Sequence, residues 1–188
     1  GGARLWQGET SIAADTIELD DRRGNLKATG KVHTRTLMDR TERGTNRTER
    51  VESVGEAPSL VYEEAARRAV YDGGARLTGV QGELLADRIA LTVTADGRGV
   101  ERIEAVGGVT LRLDGGRAAR GTRLVYHGDR ERYEMSGTPV RVVERVDGSC
   151  RETLGLTLTF EGSADTITVV GTEGNRSRTR PGSCPELR

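Results

Sequence analysis

Two histidines, two cysteines and a scatter of carboxylates are the residues here whose types could do chemistry. His33 and His127 could act as general bases or metal ligands, if a carboxylate, thiol or second imidazole stood at ligand spacing. None does: His33 follows Val32 in an apolar–polar alternation, and His127 opens the polar run "HGDRER". Cys150 and Cys184 are too far apart for a CxxC redox or zinc site. Both sit in polar turns, "DGSCRE" and "PGSCPE", rather than in apolar stretches where free structural thiols hide. The pair is expected to form a disulfide in an oxidising compartment; the alternative is two free thiols. The paired charges of "LDDRR" and "GDRERYE" are ordinary for hairpin turns. No G-x-S-x-G elbow occurs, and "DGRG" and "DGGR" lack the spacing of a phosphate loop. Asn46 and Asn175 open the sequons "NRT" and "NRS", which matter only in a secreted eukaryotic chain. No catalytic residue, metal ligand or cofactor is assigned, and no enzyme is expected.

The chemistry left is that of apolar surface. Ile17, Leu19, Leu26, Val32, Leu60, Tyr62, Ile89, Leu91, Ile103, Val109, Leu111, Leu124, Tyr126, Tyr133, Met135, Val140, Leu158, Phe160 and Ile167 recur largely at two-residue spacing. That is the period of strands with one wet and one buried face. These residues would line the inside of a folded-over sheet. Either they pack as a plain core, or the two leaves stay apart and leave a groove for an apolar ligand.

The elements that would hold such a face repeat along the chain. A small residue is followed three positions on by Ile or Leu, and two after that by Leu, Tyr or Phe. The five starts are Ala14, Ala57, Ala86, Gly121 and Gly155. A new strand opens seven residues beyond the second apolar position, at Leu26, Ala69, Tyr133 and Ile167. In the third copy "TVTADGRG" lengthens the hairpin, so the strand opens at Ile103. Four residues later in every copy stands a glycine: Gly30, Gly73, Gly107, Gly137 and Gly171. A glycine at a fixed place inside a strand marks a bulge or bend. A strand that bends at the same place in each unit lets a sheet fold over on itself. Units spaced by about 30–40 residues that cannot bury an apolar face alone must stack.

Composition agrees with a thin, much-solvated architecture. Of 188 residues, 34% are hydrophobic and 31% charged, with 26 Gly; typical chains are about 45–50% apolar. Lys+Arg and Asp+Glu both number 29, so net charge is zero, which argues against a broad nucleic-acid footprint. No apolar run reaches the roughly 20 residues of a membrane-spanning helix. The opening "GGARLWQGE" matches "GGARLTGVQGE" at Gly73–Glu83, so the chain is expected to begin in mid-unit, as a fragment of a longer protein. We expect one elongated domain over 1–188, with a polar loop insertion at 36–56 and an irregular tail at 172–188. A Cys150–Cys184 bridge would staple the exposed end of the sheet.

The order of these motifs resembles the OstA-like, or LptA, family of lipopolysaccharide transport proteins. The residues that carry it are "LWQGETSIAADTIELDDRRGNLKATGKVHT" and the stretch from "LLADRIALTVTADGRGVERIEAVGGV" through "TLRLDGGRAARGTRLVYHGDRERYEMSGTPVRVV". The family shows "A-D-x-I-x-L", "A-x-G-x-V" and "A-x-G-x-x-L-x-Y" in this sequence order, ending in "G-x-P-V". The resemblance implies an all-β, folded-over antiparallel β-jellyroll, a taco open along one side. It implies a periplasmic protein of a Gram-negative bacterium that shields lipid A acyl chains and forms part of an inner-to-outer membrane bridge. Partners would be lipopolysaccharide, and other Lpt components or a second copy joined end to end by strand pairing. The competing reading, from another class, is a β-solenoid spacer for surface assembly, with a closed core and no lipid.

Overall fold

The structure is a computed structural model and describes residues 2–41, 48–79, 82–113, 116–146, 149–161, 166–171 and 178–182. Among these described residues, thirteen strands form one antiparallel sheet: β1 (Ala3–Gln7), β2 (Thr10–Ala14), β3 (Thr16–Asp20), β4 (Asn25–Thr41), β5 (Thr48–Glu63), β6 (Arg68–Gly79), β7 (Gly82–Val93), β8 (Val100–Leu113), β9 (Arg117–His127), β10 (Arg132–Val146), β11 (Ser149–Glu161), β12 (Thr166–Val170) and β13 (Arg178–Gly182). From β4 to β12 each strand pairs with the next in sequence. At one end β4 pairs β3 with its first half and β2 with its second. At the other, β11 pairs β12 and β13 in the same divided way.

The strands from β4 to β10 are too long to stay straight, and nearly all slip register near the middle. The slips fall between Thr29 and Val32, Glu56 and Ser59, Asp72 and Ala75, Leu85 and Arg88, Val106 and Val109, and Ser136 and Val140. They line up across the sheet as a fold line, and the strand halves on either side form two leaves. The repeated small residues and glycines from Ala14 to Gly155 gather at this line. Gly30, Gly73 and Gly107 adopt φ of +77°, +92° and +80°, which favour glycine. The Ala-Asp pairs of the repeat explain a second demand. A Cβ at Gly30 would collide with the Asp15 carboxyl group, and one at Gly107 with that of Asp87.

The core is the space between the leaves. One apolar cluster runs along it, with Leu60, Ile89, Val109, Leu124, Met135 and Val140 fully buried. Charged residues lie outside, where Glu104 on β8 takes Arg102 at 2.9 Å, Arg123 at 3.8 Å and Arg68 at 4.0 Å. Among the described residues no helix is long and apolar enough to cross a membrane.

Two expected irregular stretches hold strands instead. Thr36–Thr41 pairs with Thr48–Ser53, so the described part of 36–56 is the far arm of the β4–β5 hairpin. Its mixed charges hid the pattern, because both faces of this arm carry polar residues. Those charges pair across strands: Arg35 with Glu52 at 3.6 Å, and Arg50 with Asp39 at 3.7 Å and with Glu9. Within 172–188, β13 pairs with Cys150–Leu154. Cys150 is buried and disulfide-bonded. Cys184, the other half of the expected bridge, lies outside the described residues, as do Asn46 and Asn175.

Candidate functional site

Strand β7 crosses the fold line, so it presents Leu84 from one leaf and Leu91 from the other to the same interior space. Around them is a cavity of about 340 Å³. Leu77 and Leu111 join Leu84 on one wall; Ile103, Tyr126 and Tyr133 join Leu91 on the other. Period-two alternation puts these side chains inward, because each lies an even number of residues from a buried neighbour on its own half-strand.

Three features bound this compartment. On the β4–β6 side Tyr71 reaches across the interior, and its phenol hydrogen-bonds the Thr34 hydroxyl at 2.9 Å. Thr34 in turn donates to the Gly55 carbonyl at 3.3 Å. Gly55 makes this tie possible: a Cβ there would lie 2.6 Å from Thr34 Oγ1 and 2.7 Å from Tyr71 Cε1. Burial pushes the Tyr71 phenol above its ordinary 10.0, partly offset by the Thr34 hydrogen bond, so it stays neutral. On the other side Tyr126, Tyr133 and Phe160 stack in a row, with centroids 4.5 and 5.9 Å apart. Past this row the interior narrows to about 10 Å³, among Leu111, Leu113, Val142, Leu158, Phe160 and Ile167. At the mouth, Met38, Asp39 and Ser53 of the β4–β5 arm and Gly99 and Val100 of the β7–β8 hairpin join the lining.

The rim is polar and the interior is not. Glu83 stands at the mouth between Arg76, at 3.0 Å, and Arg112. Among the described residues no group of three His, Cys, Asp or Glu could hold a metal ion. His33 Nδ1 meets Glu56 across the strand pair at 3.3 Å, on the solvated face. A larger hollow, about 660 Å³, runs along the fold line and opens to solvent; Lys31, His33, Glu56, Arg76 and Asp87 mix with alanines in its walls. The smaller interior cavity is the one walled by large aliphatic and aromatic side chains. Its geometry suits exclusion of water from a hydrocarbon chain.

Of the residues singled out in the sequence, the structure brings Leu91, Ile103, Leu111, Tyr126 and Tyr133 to this cavity. Leu26, Val32, Leu60, Ile89, Val109, Leu124, Met135, Val140, Leu158 and Phe160 are buried in the core along the rest of the inner face. Ile17, Tyr62 and Ile167 are half-buried against it. Leu19 departs from expectation. It is 55% exposed, because it lies on the five-residue edge strand β3, beyond which no strand among the described residues covers it. Leu77, Leu84, Val100 and Met38 were not singled out. Leu84 continues the two-residue period back from Ala86, so that signal was present. Met38 falls within 36–56, the stretch expected to be a polar loop insertion.

No protein-family model matches the sequence, and no curated protein matches it. Among solved structures the chain is similar to LptH, the LptA-homologous periplasmic component of the lipopolysaccharide transport device of Pseudomonas aeruginosa. The TM-score is 0.46 at 14% identity, over 91% of this chain and 93% of that one.

Proposed function

We propose that this chain binds an acyl chain of a lipid between its two leaves, as a periplasmic lipopolysaccharide-binding and transport module of an inner-to-outer membrane bridge. The observation that carries the lipid reading is the 340 Å³ compartment walled by Leu77, Leu84, Leu91, Ile103 and Leu111 beneath a polar rim. Hydrocarbon gains about 0.8 kcal/mol per buried methylene in such surroundings. Lipopolysaccharide is the lipid that the order of sequence motifs implies, above all Ala118–Val142. A bonded Cys150 fits an oxidising compartment. Partners would be other Lpt components or a second copy. The sheet ends suit such pairing, because Trp6, Leu19 and Val170 on the terminal strands are 67%, 55% and 53% exposed.

A closed-core spacer remains the second reading, favoured by how completely Leu60, Ile89, Leu124 and Met135 fill the inner face elsewhere. Photo-crosslinking separates the two. A photoreactive residue at Leu91 or Tyr126 is expected to capture lipopolysaccharide, and one at outward-facing Val61 is not. Absence of capture from both inward positions, with binding no better than to an unrelated β-protein, would establish the spacer.

A further inference from the structure

The repeat has two irregularities, and they meet. The β4–β5 arm runs past the last rung between β5 and β6, at Val54 and Thr78. The β7–β8 hairpin is lengthened by the turn at residues 94–99. The arm belongs to one leaf and the turn to the other. Asp39 donates its backbone N–H to the Arg98 carbonyl at 2.7 Å, across the mouth of the compartment. The turn is a firm anchor. Thr94 Oγ1 accepts from the Gly99 N–H at 2.9 Å, and Asp96 accepts from Thr94 Oγ1 and from the Arg98 N–H at 3.1 Å.

We infer that this clasp sets how much lipid the compartment admits, so that the clasped state takes one acyl chain and a multi-chain lipid enters only when the arm lifts. This rests on the lipid reading and refines it. Three walls are fixed by the fold line, the Tyr71–Thr34 tie and the aromatic row. Among the described residues, the fourth is held by the Asp39–Arg98 backbone hydrogen bond between two solvated hairpins, and it is the wall that yields. The cavity, open at its mouth, has a volume near the lower limit of about 300–1,000 Å³ for small-molecule sites. That is room for a single hydrocarbon chain and not for a lipid carrying several. Entry of the larger ligand is reduced by the fraction of molecules that are unclasped.

The test compares binding of two probes, a fluorescent single-chain fatty acid and purified lipid A. Thr94→Ala loosens the anchor, and Asp39→Pro removes the N–H that is given to Arg98. Both variants are checked for retained β-structure by circular dichroism. Each is expected to raise the ratio of lipid A affinity to fatty-acid affinity, by about fivefold for loss of one such hydrogen bond. Fatty-acid binding with an unchanged ratio in both folded variants would overturn the clasp and leave the lipid reading standing. Failure of both probes to bind wild type, together with no capture from Leu91, would remove the lipid reading and the clasp with it.

Discussion

At the scale of single residues, the interior owes its shape to a few contacts between the leaves. Tyr71 is the clearest, a buried phenol whose partner sits on the opposite leaf. Tyr71→Phe is expected to cost about 1 kcal/mol, since Thr34 keeps its bond to Gly55. Gly55→Ala forces the ring and hydroxyl aside and is expected to cost about 1–3 kcal/mol. Urea denaturation measures both. The raised Tyr71 pKa means that the unfolded chain loses this proton first, so stability falls as pH rises past 10.0. That alkaline loss is expected to be shallower in Tyr71→Phe. Ile103→Asp places a charge in the compartment wall, and loss of at least about tenfold in fatty-acid affinity is expected by fluorescence titration. Tyr71 could not be read from the sequence as a tie. Nothing in "RRAVYDGG" names Thr34, 37 residues away, as its partner.

At the scale of elements, the bend was legible and the clasp was not. A glycine at a constant offset can be counted along a sequence, and Gly30, Gly73 and Gly107 each take positive φ at the fold line. Gly107→Ala should lower the melting temperature, at a cost of about 1–3 kcal/mol from backbone strain and collision with Asp87. Gly74→Ala, with open space around its Cβ, carries the strain of φ +96° alone and is expected to cost less. The arm at 36–56 was illegible because its pairing relies on cross-strand charges and not on an apolar face. Its contact with the 94–99 turn depends on where two distant hairpins finish. On the outer face Glu104 is held below its ordinary 4.5, chiefly by the hydrogen bond from Arg102, then by the charges of Arg102, Arg123 and Arg68, against burial. A lowered carboxylate pKa contributes stability above the ordinary value, and this is lost as pH falls through the folded one. Glu104→Gln should therefore flatten the acid side of the stability profile below about pH 4.5.

At the scale of the whole molecule, the inner face predicted from periodicity is nearly all inside; only its edge member Leu19 fails. Sequence patterns record which way a side chain points from its strand, but not whether another strand will lie beside it. The disulfide acts at this scale too. If Cys150 is bridged to Cys184, reduction should cost about 3 kcal/mol, read as a lower melting temperature, with β11 and β13 loosening first. One consequence follows from the pairing of each strand from β4 to β12 with its sequence neighbour. Such a chain needs no distant loop closure to begin folding, so hairpins form locally and order propagates outward from any of them. The two ends have the fewest neighbours and should unzip first. Amide hydrogen exchange should then grade along the molecule, slowest in β7 and β8 around Ile89 and Val109 and fastest in β1 and β12. The compartment lies at the slow centre, so its β7 and β8 walls, which would hold a hydrocarbon chain, are the last part of the protein to melt.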